Sequence, residues 1–556
     1  MSDYCSLYKK LNHHWNDRIK AKEDFDYFIN LKDELLTSLS FELNNIHKKK
    51  FSNKIWDIII GYWLFKFIVV TYDRWFFLKN NINNISNKSL HKTPLKFIPI
   101  DSLEATNFFF DEKWNDIFFN YLHNEILKLS NLIDLNTKQY DSKIIQNLNK
   151  FNLFISIKRI FKIILNLILS KFDNSIVDYA LISSNLSKKN LFKIIIKLPG
   201  KKFINFGSLL KLNKIYQVKK RNFNLPEKLG RTEFERILIK IIPIWIPMSY
   251  IENFTLILSH LNSSDIYPKK VKTIFSANEH FNNDINKIWF ALKVNQGSKL
   301  IIGQHGGGPF NKFNGGTSYE LGISDLYLST GNGNIIEKKI IDLGQFFFRL
   351  NKNRWKKNGK LILITSLMPQ FFFDLRSMCM ANQMINYFKD QFSFYKKLIK
   401  TIQNETIVRI PVNDFNNDYG WNIKDKWITQ FKDVDIQNSK KPLSKILNTC
   451  RLVVVTYAST VHNETLAANI PTIIYWDRNN WELNDSSEKD IDNLISVGIF
   501  HETPESAANF INNHWNEILN WWSSPLVQKA RKNYCRKYAY LNNDVNTKLV
   551  NILKNV

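Results

Sequence analysis

The chain contains 556 residues, 44% of them hydrophobic, with 77 Lys and Arg against 50 Asp and Glu and a formal net charge of +27. Apolar content at this length supports more than one folded core and excludes a mainly disordered chain. The positive charge favours phosphate-bearing partners, but it is spread over a sequence rich in Lys, Asn, Ile and Phe, and the lack of a zinc-finger or RNP-like pattern argues against nucleic acid.

The cysteines indicate the compartment. Cys5, Cys379, Cys450 and Cys535 form no CxxC pair, so neither a zinc site nor a disulfide framework is predicted. Residues 1–10 lack the basic-then-apolar order of a signal peptide. A reducing, cytoplasmic setting is therefore expected.

The first 175 residues are predicted to form a mainly helical region. Residues 25–43 and 114–129 carry apolar side chains at helical spacing without Gly or Pro. Residues 55–70 are strongly apolar, but this run is shorter than the roughly 20 residues of a spanning helix and contains charges, which favours a buried core segment. Residues 153–172 mix apolar and basic side chains, as in a helix that lies on an anionic membrane surface. A core helix with a solvated basic face is the alternative.

From residue 176 the pattern changes to short apolar runs that alternate with amphipathic ones, which predicts an α/β fold with parallel sheets. A polar, basic linker at 349–359 separates two sets of strands. The division is therefore a helical region (1–175), one Rossmann-like domain (176–350) and a second one (351–556), with a cleft between the two sheets. Strands are predicted at 271–277, 299–303, 325–329, 338–343, 360–365, 407–410, 452–456 and 472–476.

A glycine-rich segment, GQHGGGP, directly follows the predicted strand at 299–303. Glycines let backbone NH groups approach a ligand and point at negative oxygens, and a histidine at the strand end suits a general base or a phosphate hydrogen bond. The segment matches neither the Walker loop nor GxGxxG. His305, Gly306, Gly307 and Gly308 are candidate site residues, with a tight structural turn as the alternative.

A second polar segment lies between the strand at 452–456 and a helix predicted at 461–468. Ser459 and Thr460, with the NH groups of the helix N-terminus, would form an anion site. Glu464 lies one turn later and would accept hydrogen bonds from ribose hydroxyls. The alternative is a capping box in which Thr460 pairs with a nearby acid, but the spacing of four rather than three favours a donor site.

Three further charged residues are weaker candidates. Arg409 ends the predicted strand at 407–410, where a guanidinium would clamp a phosphate; a surface salt bridge is the alternative. Glu320 and Asp325 follow the glycine-rich segment and are candidate carboxylate bases. Either acid would alternatively be solvated in a loop.

These segments resemble a family of transferases from bacterial surface-polysaccharide (O-antigen and capsule) loci, which is related to the GT-B glycosyltransferases. Gln304-His305-Gly306-Gly307 is the most specific element. The matching residues cover most of the chain, at 56–61, 63–64, 72–74, 247, 250, 252, 276–278, 303–308, 325–329, 331, 343–344, 409, 456–460, 464, 469–472, 498–499 and 528–538.

The resemblance implies a GT-B fold, in which the acceptor binds mainly to the domain at 176–350 and a nucleotide-sugar donor to the domain at 351–556, which ends in a closing helix. It also implies metal-independent transfer, without a cofactor, to a surface-polysaccharide or lipid-linked acceptor, in the cytoplasm or at the inner face of the membrane. Sialyl- and Kdo-type relatives pair a His-Pro motif with a Ser-Ser/Thr motif. Here Ser459-Thr460 matches the second, but Arg409-Ile410-Pro411 stands in place of the first, so a CMP-linked acidic sugar stays open.

The expected mechanism assigns Glu464 to the ribose, and Ser459, Thr460 and Arg409 to the phosphate. His305 or Glu320 would deprotonate the acceptor hydroxyl. The alternatives are a polyol-phosphate transferase that uses a CDP-alcohol, a nucleotide-sugar epimerase, and a non-catalytic carbohydrate-binding or assembly protein.

Overall fold

The computed structural model describes residues 3–81, 95–129, 176–204, 210–263, 266–306, 311–331, 339–345, 355–415, 419–438, 440, 443–447, 450–542 and 544–556. The basic helix predicted at 153–172, Gly307 and Gly308, and the first part of the predicted linker lie outside these residues.

The described part of the N-terminal region is helical, as predicted. The longest helix begins after Asp17, whose carboxylate accepts hydrogen bonds from the backbone NH groups of Ile19 and Lys20. A single π-helical turn at Asp57–Gly61 joins the third helix to the fourth. The helices are α1 (Asp3–Lys10), α2 (Arg18–His47), α3 (Asn53–Trp56), α4 (Tyr62–Asn81), α5 (Ser102–Phe110) and α6 (Glu112–Leu129).

The apolar run at 55–70 is buried in the core, as predicted, and it is helical. The stretch Asn53–Asn81 is, among the described residues, one helix long and apolar enough to cross a membrane. However, 94% of its most apolar window is buried inside the protein. Because the core helix of a globular protein meets the same criteria of length and composition, this helix gives no support for a membrane span.

The first parallel sheet has six strands within the described residues, in the order β2-β1-β3-β4-β5-β6. Both of its faces are covered, which explains the nearly continuous apolar runs of its central strands. The strands are β1 (Ile176–Ile182), β2 (Lys202–Ile204), β3 (Lys270–Ser276), β4 (Lys299–Gly303), β5 (Leu326–Ser329) and β6 (Ile340–Asp342). The helices between them are α7 (Lys188–Lys197), α8 (Val218–Arg221), α9 (Glu233–Trp245), α10 (Phe254–Ser263), α11 (Glu279–Asn282), α12 (Asp284–Asn295) and α13 (Gly315–Ile323).

The second sheet is also parallel, and its described strands run in the order β12-β11-β10-β7-β8-β9. Two parallel sheets in succession confirm the predicted α/β fold of GT-B type. The strands are β7 (Lys360–Ile364), β8 (Thr406–Ile410), β9 (Asp435–Asn438), β10 (Cys450–Val455), β11 (Thr472–Tyr475) and β12 (Phe500–His501). The helices are α14 (Gln383–Lys397), α15 (Lys400–Asn404), α16 (Val412–Phe415), α17 (Ile423–Gln430), α18 (Leu443–Ile446), α19 (Thr460–Ala467), α20 (Asp485–Ile495), α21 (Pro504–His514), α22 (Ile518–Ser523), α23 (Pro525–Tyr538) and α24 (Val545–Asn555).

The helical region is not a separate folding unit, because it shares one apolar core with the first sheet. Phe371, Phe372 and Leu375 belong to the same core, although they lie in the segment between β7 and α14 of the second domain. This segment, residues 366–382, therefore crosses from the second sheet to the helical region. We refer to it below as the crossing segment.

The end of the chain differs from the predicted division. Helix α23 packs on the second sheet, whereas the apolar face of α24 is buried against Tyr179 and Leu181 of the first sheet. The last helix of the chain, α24, therefore packs with the first domain and not with the second. An amphipathic helix pattern shows that one face is buried, but it carries no information about which sheet covers that face.

Candidate functional site

The two sheets present the carboxyl ends of their strands to the same region, where ligands of open α/β sheets bind. On the first sheet, His305 follows β4, and His280 follows β3 on α11. On the second sheet, Arg409 lies near the end of β8, and Thr460 begins the helix after β10. Both predicted polar segments thus lie at strand ends that face the cleft.

Gly306 lies directly against Thr460. Its φ of +79° is in the left-handed region, and a Cβ atom added there would stand 2.7 Å from Thr460 Oγ1. A side chain at this position would therefore be strained by the backbone and would also collide with the Thr460 hydroxyl. The close approach brings the glycine-rich segment and the Ser459-Thr460 segment together.

Glu320 is buried on α13 and lines a small pocket beside Gly306. One of its oxygens lies 2.9 Å from His280 Nε2, and the hydroxyl of Tyr327 donates to the other at 3.3 Å. Burial raises the pKa of Glu320 to about 8 and lowers the pKa of His280 to about 3. Near pH 7 the pair is therefore neutral overall, with a protonated carboxyl group at the pocket wall.

His305 lies at the mouth of the same pocket. Its Nδ1 is 2.8 Å from the side-chain amide nitrogen of Asn185, which follows β1. With the amide donating, the imidazole proton is on Nε2, which then points a donor and not a lone pair at a ligand. Burial lowers the pKa of His305. His305 is thus arranged to donate a hydrogen bond, while Glu320 is the stronger candidate for proton transfer.

The pocket beside Gly306 has a volume of about 240 Å³. Most of its wall comes from the first domain, including His305, Thr317 and Glu320. The helical region adds Tyr62, and the crossing segment adds Asp374 and Arg376. Sequence reasoning missed both of these residues, and it missed His280. The position of His280 just after a strand of the first sheet was a usable signal, because ligand-binding residues of such sheets lie at strand ends.

A larger cavity of about 760 Å³ continues from this pocket along the first domain. The two cavities share Asn278, Phe281 and Asn282. Polar and acidic groups on α5 and α11 line the larger one, together with Asp101, the N-cap residue of α5. Burial beside Asp284 raises the pKa of Asp101 to about 6. The helical region and the first domain therefore form a continuous groove that leads to Glu320.

On the second domain, three predicted donor residues surround Tyr457. Burial raises the pKa of the Tyr457 hydroxyl. A hydrogen bond with Ser459 and the positive charge of Arg409 act to lower this pKa, and the negative charge of Glu464 acts to raise it. Arg409 is itself buried, and burial lowers its pKa. The structure thus gathers Arg409, Ser459 and Glu464 at one place, next to the helix that begins at Thr460.

The cap of helix α19 differs from the one considered in the sequence. Ser459, and not Thr460, is the N-cap residue: its hydroxyl accepts a hydrogen bond from the Val461 backbone NH, and His462 Nδ1 accepts one from the Ser459 NH. The capping box therefore has the usual spacing of three, with His462 as its second member. Ser459 thus has a structural role in addition to its candidate role, and Thr460 is the hydroxyl that faces the first domain.

Asp325 is not part of the site. It lies just before β5, at the opposite edge of the sheet, where it pairs with Lys54 at 3.0 Å and accepts a hydrogen bond from the Leu300 backbone NH at 2.8 Å. It stabilises the start of the strand. The sequence could not separate Asp325 from Glu320, because both follow the glycine-rich segment and only packing decides which one faces the cleft.

One group of possible metal ligands occurs in the described residues, formed by His13, His14 and Asp73. His13 Nδ1 accepts a hydrogen bond from the Trp15 NH, its Nε2 is bonded to Asp73 at 2.7 Å, and Asp73 also pairs with Arg74. Both ring nitrogens of His13 are thereby occupied. The group acts as a hydrogen-bond network within the helical region.

Solved structures with a similar chain path have low sequence identity. Anabaena Alr3699/HepE, in complex with UDP and glucose, is 9% identical, with 68% of this chain and 100% of that chain covered and a TM-score of 0.37. The UDP-GlcNAc 2-epimerase of Methanocaldococcus jannaschii is 11% identical, with the same coverage and TM-score. The wall teichoic acid polymerase TagF is 9% identical over 72% of this chain and 96% of that one, with a TM-score of 0.33. The fold follows from the two parallel sheets themselves and not from these similarities.

A family assignment rests on the sequence as a whole. No curated protein matches the chain. The model of one family, described as the LIC12162 family transferase, matches residues 5–553. That match covers nearly the entire chain, from the helical region to the last helix. The chain therefore belongs to the LIC12162 family of transferases.

Proposed function

We propose that this transferase moves a sugar from a nucleotide-sugar donor to a hydroxyl of a surface-polysaccharide or lipid-linked acceptor. The observation that carries the proposal is the contact between Gly306 and Thr460. It joins a candidate anion site on the second domain to a pocket on the first domain that contains a buried, proton-holding carboxyl group. Transfer from a phosphate leaving group needs these two elements next to each other.

The donor is proposed to lie against the second domain. The buried guanidinium of Arg409 and the N-terminus of α19, at Thr460, stabilise the phosphate charge that develops as the glycosidic bond breaks. Glu464 accepts hydrogen bonds from the ribose. Gly306 contributes its backbone NH group from the opposite side. These protein groups take the place of a metal at the leaving phosphate.

Glu320 is proposed as the base that deprotonates the acceptor hydroxyl, with His305 as a hydrogen-bond donor to the phosphate or to the transferred sugar. A carboxylate with a pKa of about 8 is a suitable proton acceptor near neutral pH. The acceptor is proposed to reach Glu320 through the 760 Å³ cavity between the helical region and the first domain. A polyol-phosphate transferase or an epimerase would use the same donor site, and only the product distinguishes them from a glycosyltransferase.

A nucleotide screen tests the donor site. We expect one of CMP, CDP, UDP, GDP and dTDP to raise the melting temperature, because a ligand at one hundred times its dissociation constant adds about 2.7 kcal/mol to the stability of the native state. The shift should disappear in Glu464→Ala and persist in Glu502→Ala, a control on the same domain whose carboxylate is 64% exposed. A screen without any shift would favour a non-catalytic carbohydrate-binding protein.

We further propose that the protein associates peripherally with an anionic membrane surface through α7. On this helix the side chains of Phe192 and Ile196 are 64% and 65% exposed, one turn apart. Four lysines flank them without an acidic residue in the helix. Exposed apolar side chains surrounded by cations match the interface of a bilayer with anionic headgroups. A lipid-linked acceptor would then be reached from the membrane surface.

Vesicle co-sedimentation tests this surface. We expect binding to vesicles of phosphatidylglycerol and phosphatidylethanolamine at low salt, with weaker binding as salt rises, and little binding to phosphatidylcholine alone. The double variant Phe192→Glu/Ile196→Glu should lose binding. Phe41→Glu should keep it, since Phe41 is 63% exposed on α2 and provides a matched control. Equal binding by all three proteins would remove α7 from the interaction.

A further inference from the structure

The 240 Å³ pocket beside Gly306 contains polar groups to which neither the fold nor the proposed mechanism gives a role. Asp374 is only 3% exposed, and its Oδ1 has no hydrogen-bond partner among the described residues. Arg376 Nε is likewise buried without a hydrogen-bond partner there. A buried carboxylate oxygen without a donor is costly, so it is expected to have a partner in the working protein.

The two side chains are held as a pair. Arg376 Nε lies 3.5 Å from Asp374 Oδ2, which is an ion pair but too long for a good hydrogen bond. Oδ1 of Asp374 and the NH of Arg376 are thus left for a third group. One offers an acceptor and the other a donor, at neighbouring positions on the same pocket wall.

Contacts with the helical region fix the position of this pair. Phe371, Phe372 and Leu375 of the crossing segment are buried in the core of the helical region, and Arg74 donates a hydrogen bond of 2.6 Å to the Phe372 carbonyl. Asp374 and Arg376 are therefore held rigidly against the first domain, although they belong to the second. Groups on such a support are preorganised for recognition.

The chemistry of the pocket points to a ligand with adjacent hydroxyl groups. A hydroxyl donates to a carboxylate and accepts from a guanidinium, so a vicinal diol satisfies Asp374 and Arg376 together. The carboxylate of Asp374 disfavours a second anion beside its Oδ1, whereas Glu320 holds its proton near pH 7 and adds no charge. The volume is slightly below the range of about 300–1,000 Å³ for drug-sized ligands, so it suits a single ring.

We propose that Asp374 and Arg376 form a specificity subsite for vicinal hydroxyls of the transferred sugar, and that this sugar is neutral. The subsite rests on the proposed function, because the sugar reaches this pocket when its phosphate lies near Thr460, which contacts Gly306 at the pocket edge. An acidic ulosonic sugar is disfavoured by the buried carboxylate. The selection of the transferred sugar then depends on the crossing segment, since Asp374 and Arg376 both lie on it.

The test compares nucleotide-sugars with the matching nucleotides on the full chain. The probes are UDP, GDP, dTDP and CMP, and then UDP-glucose, GDP-mannose, dTDP-rhamnose and CMP-linked N-acetylneuraminic acid, each titrated calorimetrically. For the best neutral nucleotide-sugar we expect Asp374→Ala and Asp374→Asn to raise the dissociation constant by about 10- to 100-fold, the value of a hydrogen bond to a charged group. The dissociation constant of the bare nucleotide should not change.

Three variants make the outcome specific. Asp374→Asn is isosteric and guards against a folding defect, which the melting temperature reports. Arg376→Gln should give a loss in the same direction. Asp433→Asn, whose side chain is 83% exposed on the second domain, should behave as wild type.

Two results would overturn the subsite while leaving the proposed function intact: unchanged affinity of the Asp374 variants for the nucleotide-sugar, or tightest wild-type binding to the CMP-linked acidic sugar. If the wild type binds none of the nucleotides or nucleotide-sugars, the proposed function fails and the subsite fails with it.

Discussion

Replacing Glu320 by Gln is expected to lower turnover by about 10²- to 10⁴-fold, the usual contribution of a positioned base. The amide keeps the shape of the side chain but cannot accept the acceptor's proton. The measurement is nucleotide release from the nucleotide-sugar identified in the screen. Nucleotide affinity should be unchanged, because Glu320 lies on the first domain, away from Arg409 and Glu464.

The pKa of Glu320 should also determine how wild-type turnover and stability depend on pH. Wild-type turnover should rise with pH towards about 8, since Glu320 must lose its proton to act as a base and burial raises its pKa from 4.5 to about 8. The folded protein holds this proton more tightly than the unfolded chain does. The contribution of Glu320 to stability is therefore complete below about pH 4.5 and is lost as pH rises through about 8.

Glu320→Gln should consequently be at least as stable as wild type at pH 8.5, despite its loss of activity. A side chain retained at a cost in stability is typical of functional sites. Glu405→Gln, on a partly exposed residue paired with Lys360, is the control and should change neither property. If Glu320→Gln kept full turnover while His305→Ala lost it, His305 would be the base.

Much of the fold could be predicted from local sequence. Each of the eight predicted strands corresponds to an observed one, and β4 agrees at both ends because its apolar run stops at Gly303. The strands that were missed are mostly short or polar edge strands. β9, with the sequence DIQN, lies at the edge of its sheet and lacks an apolar signal, and β12 has only two residues. β1 carries an apolar run, IVDYALI, that lies outside the predicted strands.

The site was only partly predictable, for a physical reason. The glycine-rich segment and Ser459-Thr460 follow strands, and residues at strand ends are recognisable in a sequence. Asp374 and Arg376 follow no such rule, because they lie in the irregular segment that crosses to the helical region. Only the packing of Phe371 and Phe372 on that region brings them to the pocket. Contacts between residues about 300 positions apart, such as Arg74 with Phe372, are not encoded in any local pattern.

Among the variants considered, Arg74→Ala is expected to lose the most stability, about 3–5 kcal/mol. The change leaves the buried Asp73 carboxylate without its cation. Arg74 is fully buried and donates hydrogen bonds to Asp73, to Asn115 and to the Phe109 and Phe372 carbonyls. The apparent melting temperature should fall by roughly 5 °C or more. Arg536→Ala, on the exposed face of α23, should leave it unchanged.

A second variant separates the ion pair with Asp73 from the positioning of the crossing segment. In Arg74→Lys the cation is retained, so Asp73 stays paired, but an ammonium cannot reproduce the fork that reaches Phe372 and Asn115 together. We expect a smaller loss of stability than in Arg74→Ala, together with weaker nucleotide-sugar binding and unchanged binding of the bare nucleotide. Because Phe372 lies two residues before Asp374, loosening this anchor disturbs the pocket wall and leaves the phosphate site alone. Equal loss of nucleotide and nucleotide-sugar binding would instead mean that Arg74 supports the two-domain fold as a whole and has no particular influence on the crossing segment.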